Sequence, residues 1–457
     1  MFIGRNAELK KLNEMYASDK FEFAVIYGRR RVGKTTLIRE FVKGKKTIFY
    51  AASESTASDN LLSLSRCIGG GNNAPVYRDY EAALSAIFET ANDERIVFVI
   101  DEYPYLAESY RGISSLLQIM IDHNRENTKI MLILCGSSMS FMEKQVLGYQ
   151  SPLYGRRTAQ FKIMPFNFFE SLPFFEVFNK TDKAVLYGIT GGIPEYLIKI
   201  NPVKSVEENI VDLFLTASGH LFEEPSNLLK QELREPSTYN VIIEAIASGS
   251  SRLNEIATKC GIESNKCAKY LKSLISLGIV KKELPITETA SKKSIYLLDD
   301  MMFRFWYRFV FPNMSGIVSG LGQSVYDFDI MDNLPGYMGL VFEEICKQYL
   351  FEEAKKNALP FFIGKVGRWW GNNPKEKRQE EIDILAYRKD SALFCECKWT
   401  NDFVGVDVLT TLTERTELFN YKNVWRWFFA KTDFTDGMIE EAEKHDDIRL
   451  IRYEDMI

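Results

Sequence analysis

Short, wholly apolar runs recur through the N-terminal third of the chain. Residues 22–27, 96–100 and 130–135 each have strand length and no polar alternation. Such runs read as strands buried on both faces, the signature of a parallel sheet covered by helices. A helical pattern follows the first run at 35–43. Residues 165–230 are rich in aromatics and helix formers, with turns at Pro173, Gly191-Gly192 and Pro202, and predict a helical lid. Beyond Pro236 come helical patterns at 238–248, 252–259 and 264–277, the last two joined by the tight turn Lys259-Cys260-Gly261-Ile262. Two short strands at 279–284 and 294–298 complete the order of a winged helix. Residues 301–313 carry Phe and Trp at helical spacing and predict a buried linker helix; a stacking platform for single strands is the competing reading. The tail reads as a helix at 337–356, a hairpin at 381–387 and 392–399, then helix 404–419, strand 424–429, helix 436–444 and strand 447–451.

The punctuation between these elements carries chemistry. After the first strand run stands Gly28-Arg29-Arg30-Arg31-Val32-Gly33-Lys34-Thr35-Thr36, a complete G-x-x-x-x-G-K-T loop between strand and helix. Its glycines let backbone N–H groups wrap a phosphate chain, Lys34 reaches the β- and γ-phosphates, and the Thr35 hydroxyl serves Mg²⁺. This predicts ATP as ligand and Mg²⁺ as cofactor. The run at 96–100 ends in Asp101-Glu102: the first acid suits the metal shell and the second suits the attacking water, which points to hydrolysis rather than mere binding. The run at 130–135 ends in Gly136-Ser137-Ser138, and Ser137 is a candidate sensor of the γ-phosphate. Arg156 and Arg157 are either an arginine finger or a solvated turn.

These segments resemble a known family. The opening FIGRNAEL, the loop GRRRVGKTTL, the strand VFVIDEYPYL, the block CGSSMSFME, the later SPLYGRR and the segment TGGIPEYL are similar to archaeal-type AAA-like ATPases of the STAND branch. The resemblance implies that Gly4 and Arg5 lie near the base of the nucleotide and that the Gly-Gly-x-Pro motif belongs to the lid.

A second constellation lies near the C-terminus. Asp383 sits on the first hairpin strand and Glu396-Cys397-Lys398 on the second, and residues two apart on a strand share a face. Asp383 and Glu396 can hold Mg²⁺, Glu343 on the preceding helix can complete the shell, and Lys398 can orient the nucleophile for phosphodiester hydrolysis. The set resembles the PD-(D/E)XK nucleases, although Ile382 stands where that superfamily has proline. The wording from GKVGRWW through EIDILA to ECKW is similar to the C-terminal domain of the same ATPases. A surface salt-bridge set on an edge hairpin is the bland alternative.

Composition narrows the partners. Lys+Arg 57 against Asp+Glu 62 gives a net charge of −5, so no chain-wide polyanion surface exists. Local basic stretches remain. Lys266, Lys269, Lys272, Lys281, Lys282, Lys292 and Lys293 outnumber Glu283 and Glu288 in the winged helix, and Lys365, Arg368, Lys375, Lys377 and Arg378 precede the hairpin acids. Both suit a nucleic-acid backbone, DNA in preference to RNA, while a solvated face is the alternative. The seven cysteines form no C-x-x-C pair and only three histidines exist, which argues against zinc and for a reducing cytoplasm. No apolar run is long enough to span a membrane. The expected architecture is α/β and multidomain: a P-loop NTPase core over 1–163, a helical lid over 164–235, a winged helix over 236–300, a linker over 301–335 and a restriction-endonuclease-like α/β domain over 336–457. The leading function is ATP-controlled action on nucleic acid. A signalling switch with a catalytically silent C-terminal domain, and an ATP-controlled scaffold, are the alternatives. A homo-oligomer is compatible with all three.

Overall fold

The computed structural model describes residues 2–72, 74–289, 293–374 and 376–457. The chain forms two compact units, residues 1–165 with 193–195, and residues 166–192 with 196–457.

The first unit is built on a five-stranded parallel sheet. Its strands are β1 (Glu22–Tyr27), β2 (Thr47–Ala51), β3 (Ile96–Asp101), β4 (Ile130–Gly136) and β5 (Ala159–Lys162), in the order β2-β3-β4-β1-β5. β3 and β4 are buried along their whole length. β1 is buried from Phe23 onward. That is why these segments read as unbroken apolar runs. β4 lies between the strand that leads into the phosphate loop and the strand that ends in the acid pair. The edge strands β2 and β5 are only partly buried; β5 carries no such run, and the apolar run at 48–52 in β2 was passed over in the sequence.

The second unit holds the predicted winged helix, linker and C-terminal domain together with the predicted lid, except for its residues 164–165 and 193–195, which belong to the first unit. The winged helix has helices Pro236–Ala247, Leu253–Cys260 and Ser264–Ser276, with the antiparallel pair β6 (Val280–Glu283) and β7 (Ile295–Leu298). The aromatic segment is a buried linker. Phe303, Phe305 and Trp306 have no exposure, and the Trp306 indole donates to the Phe222 carbonyl at 2.6 Å. A base-stacking role is thereby excluded for these three rings. Tyr337 ties the linker to the lid by donating to the carbonyls of Gly188 (2.6 Å) and Met301 (2.9 Å).

The C-terminal sheet has the order β12-β11-β10-β9-β8. β8 (Lys365–Asn373), β9 (Arg378–Arg388) and β10 (Ser391–Lys398) are antiparallel neighbours, while β11 (Asn423–Ala430) and β12 (Ile448–Arg452) continue in parallel. The long helix Leu334–Lys355 and the helix Val406–Thr416 both pack against β10. The basic stretch before the hairpin acids, read as suiting a nucleic-acid backbone or as a solvated face, begins with strand β8. Trp369 packs against the core of this sheet, and Arg368 is drawn between two glutamates. Lys375 and Lys292 fall outside the described residues.

Candidate functional site

The phosphate loop is positioned by β1 and by the helix Lys34–Phe41. Gly33 takes φ +89°, a left-handed conformation that a side chain would strain. Gly28 is constrained by space: a Cβ there would lie 2.3 Å from the Ile163 carbonyl oxygen. Arg31 is also left-handed, with φ 71°, so successive N–H groups curve into an anion-binding concavity. Pro194 of the Gly-Gly-x-Pro motif belongs to this unit and stands 3.8 Å from where a Gly33 Cβ would be.

The charged side chains are preset. Lys34 is 6% exposed, and its ammonium donates to the Arg29 carbonyl at 2.9 Å, curling back over the loop. Burial pulls the Lys34 ammonium below the ordinary lysine range, and Glu102 and Asp101 push it back up. The Thr35 hydroxyl donates to Asp101 at 2.8 Å, so the two expected metal-shell residues are already in contact. The same pocket includes Cys135, whose thiol burial holds protonated beside Asp101 and Lys34. Sequence reasoning passed over that cysteine, because an apolar strand gives no hint of what its end faces. Arg30 donates to the Tyr105 hydroxyl at 3.0 Å, a link visible only in the fold.

Glu102 and Ser137 are joined. Glu102 adopts φ 50° and ψ 47°, rare for a non-glycine residue. Its carboxylate accepts from the Ser137 backbone N–H (3.2 Å) and hydroxyl (2.8 Å). Such strain typically costs about 1–3 kcal/mol and concentrates at functional positions. Ser137 thus holds the Glu102 carboxylate in place. Ser137→Ala is expected to change the rate of ATP turnover by about tenfold while leaving nucleotide affinity within about twofold. Steady-state hydrolysis beside equilibrium nucleotide binding checks this, and equal shifts in both would refute it.

The remaining predicted residues separate. The Arg5 guanidinium donates to the Val32 carbonyl of the loop at 3.3 Å, which brings the Gly4-Arg5 segment to the loop. Arg156 is bound bidentately to Asp122 at 2.7 and 2.6 Å and also donates to the Pro152 carbonyl, so it braces its own turn. Arg157 lies within electrostatic reach of the Tyr27 hydroxyl at the end of β1.

At the C-terminal site the strand geometry departs from a simple alternation. Gly367 pairs with Leu385 but Trp369 pairs with Ile382, so β9 holds an extra residue between them. Leu385 and Ile382 accordingly face one core although they are three apart. The β9–β10 register is unbroken through Ile384↔Cys395, and one further step sets Asp383 opposite Glu396. The Asp383 carboxylate accepts from the Cys397 backbone N–H at 2.8 Å. Glu396 and Lys398 stay together, with the lysine ammonium 2.7 Å from Glu396. Asp383 on β9 and Glu396 on β10 thus stand as the two prongs of a fork.

Electrostatics still couples the group. Burial, then the charges of Glu396 and Glu343, push the Asp383 carboxyl up to about 8. Burial also raises Glu343, with Arg368 opposing at 3.7 Å. Arg415, on the helix Val406–Thr416, donates to Glu380 at 2.9 Å and to Glu396 at 3.2 Å. Sequence reasoning missed Arg415 and Glu380, since neither lies in a motif. Among the described residues no group of three or more His, Cys, Asp or Glu side chains is placed to hold a metal ion.

The wing is occupied. The Ile286 backbone N–H donates to the Arg368 carbonyl at 3.0 Å, and the Tyr387 hydroxyl donates to the Ile286 carbonyl at 3.2 Å. The Ile286 side chain joins the apolar core of the C-terminal sheet. Lys281 pairs with Glu283 at 2.6 Å, and Lys293 with Glu288 at 3.0 Å. Lys266, Lys269 and Lys272 stay exposed along the helix Ser264–Ser276. Lys282 on β6 is exposed as well, over the Tyr296 ring, and Lys292 lies outside the described residues. Ile286→Asp is expected to cost about 2 kcal/mol. Denaturant unfolding should show this, with faster hydrogen exchange at the Ile286 amide. An unchanged midpoint would mean that the wing contributes nothing to the C-terminal sheet.

The sheet order, the phosphate loop and the acid pair at the end of β3 define a P-loop ATPase with one strand inserted between its two nucleotide-site strands. Residues 2–200 match an ATPase domain found predominantly in Archaea, and residues 306–415 match a domain of archaeal and bacterial proteins of unknown function. An uncharacterised protein of Methanocaldococcus jannaschii is 39% identical over 407 residues, covering 87% of this chain and 88% of that one. The chain belongs to this family of archaeal-type P-loop ATPases, and it binds and hydrolyses ATP. An uncharacterised ATP-binding protein of the same organism is 46% identical over 46 residues, 10% of this chain and 78% of that one. The fold is similar to that of a Walker-type ATPase of Pyrococcus abyssi, with a TM-score of 0.51 and 18% identity over 67% of this chain and 96% of that one. Among the described residues no helix is long and apolar enough to cross a membrane.

Proposed function

We propose that this ATPase drives a reaction on nucleic acid, with Mg²⁺-dependent phosphodiester hydrolysis at the C-terminal fork. The observation that carries this reading is the β9–β10 pairing that sets Asp383 beside the Glu396-x-Lys398 strand, in the electrostatic reach of Glu343. Thr35 and Asp101 are the residues that would hold Mg²⁺ at the nucleotide. At the fork Asp383 and Glu396 would hold it as a pair, with Glu343 in electrostatic reach and, among the described residues, not within a three-ligand group. Bound there, the ion would polarise the phosphate and lower the pKa of water. Lys398 would orient the nucleophile, and Glu102 would activate water at the nucleotide site once released by Ser137. DNA is the preferred substrate class, the setting cytoplasmic, and a homo-oligomer is compatible with the arrangement.

A second reading has its own observation. Both oxygens of Glu396 already face cations, Lys398 on one side and Arg415 on the other. That charge balance suits a silent module that binds rather than cuts, as in a signalling switch. The deciding test is a cleavage assay on duplex DNA, single strands and RNA, with Mg²⁺ or Mn²⁺, with and without ATP. Cleavage by wild type that disappears in Glu396→Ala supports the nuclease. Intact ATP turnover with no cleavage of any substrate supports the silent module.

A further inference from the structure

We infer that Arg415 is a contact for a nucleic-acid phosphate at the C-terminal fork, with Glu380 as the residue that positions it. The inference rests on the proposal that this fork meets nucleic acid. Arg415 bridges two acids of different standing. Its Nε is bound to Glu380 at 2.9 Å, and its Nη1 to Glu396 at 3.2 Å. Glu380 is 4% exposed and is also bound by Arg378 at 2.7 Å, so it is a fixed anchor with no role at the fork's open side. Glu396 already has Lys398 on its other oxygen.

The guanidinium is therefore held by its inner nitrogen, while its outer nitrogens reach the carboxylate that the reaction would use. A planar fork held this way matches the spacing of phosphate oxygens, which a lysine ammonium does not. Any cation engaging Glu396 weakens its hold on Nη1, and the anchored guanidinium then presents its outer edge to a phosphate beside it. Arg415 itself is 20% exposed, so that edge is reachable from solvent.

The test is the salt dependence of binding, which reports the number of phosphates neutralised. Labelled single-stranded DNA and the matching duplex would be titrated with full-length protein in Ca²⁺ over a range of potassium chloride. Arg415→Gln is expected to weaken binding and to lower the slope of log K against log salt by about 0.7 on the single strand or about 0.9 on the duplex. Arg415→Lys should restore most of the slope, because the charge returns. Glu380→Gln should weaken binding less than Arg415→Gln, because the charge remains and only its placement is lost. Far-UV circular dichroism would establish that the variants are folded. A slope equal to that of wild type in folded Arg415→Gln overturns the inference and leaves the nucleic-acid reading standing. Absence of binding by wild type overturns both.

Discussion

Lys34→Ala is expected to abolish ATP turnover and to leave the fold intact. The lysine of a phosphate loop reaches the β- and γ-phosphates and follows their charge. Removing a single preorganised donor of this kind typically lowers a rate by about 100–1,000-fold. No structural role offsets the change, because Lys34 is buried against its own loop, donates to the Arg29 carbonyl and is desolvated. Thermal stability is expected to hold or rise slightly. Phosphate release and a melting curve, run on the same preparation, check the two halves. Turnover at the wild-type rate would remove the nucleotide chemistry from this loop. A collapse of stability would make the lysine a structural residue instead.

Asp383→Asn is expected to abolish nucleic-acid cleavage, to spare ATP turnover and to stabilise the protein at neutral pH. The third effect follows from linkage. In the unfolded chain an aspartate titrates near 3.9. In the fold it is pushed up to about 8. Between those values the folded state holds a proton that the unfolded state has lost, so the contribution to stability falls as pH rises from about 4 to about 8. Below pH 4 both states are protonated and the penalty vanishes. Asparagine carries no charge to bury, so the variant should melt above wild type at pH 7–8 and alongside it near pH 4. For a body of this size about 1 kcal/mol corresponds to about 2–4 °C. Melting curves of both proteins across that range decide it. A variant that melts below wild type at pH 8 would mean that the carboxylate is a stabilising partner of the Cys397 amide. Cleavage that persists would place the metal elsewhere.

Legibility of the sequence followed burial. The strands β1, β3 and β4 could be located because both their faces are covered, which leaves an apolar run with polar ends. The ends then carried the chemistry, and Lys34, Thr35 and Asp101 came together as the motif spacing required. β8 was illegible as a strand because its residues are half-covered and charged, and Arg368 reads as a surface residue until its partners Glu343 and Glu381 are seen. The C-terminal acids were legible as residue types but not as geometry. A period of two predicts one shared face, and the extra residue that β9 carries relative to β8 interrupts that period beside Asp383, which no residue pattern announces. Arg415 and Glu380 lay beyond reach because they act across 35 residues of chain, with no motif to announce either.

The docked wing bears on how the chain can be divided. The boundary suggested by the sequence falls at residue 336, yet Ile286 fills a slot over Gly367, where an added Cβ would lie 2.9 Å from its Cδ1. A fragment that starts at 336 lacks that side chain and the backbone donor that meets Arg368. It would expose the apolar slot and an unpaired carbonyl, two features that promote aggregation. The smallest piece carrying a complete C-terminal sheet must therefore reach back through the winged helix.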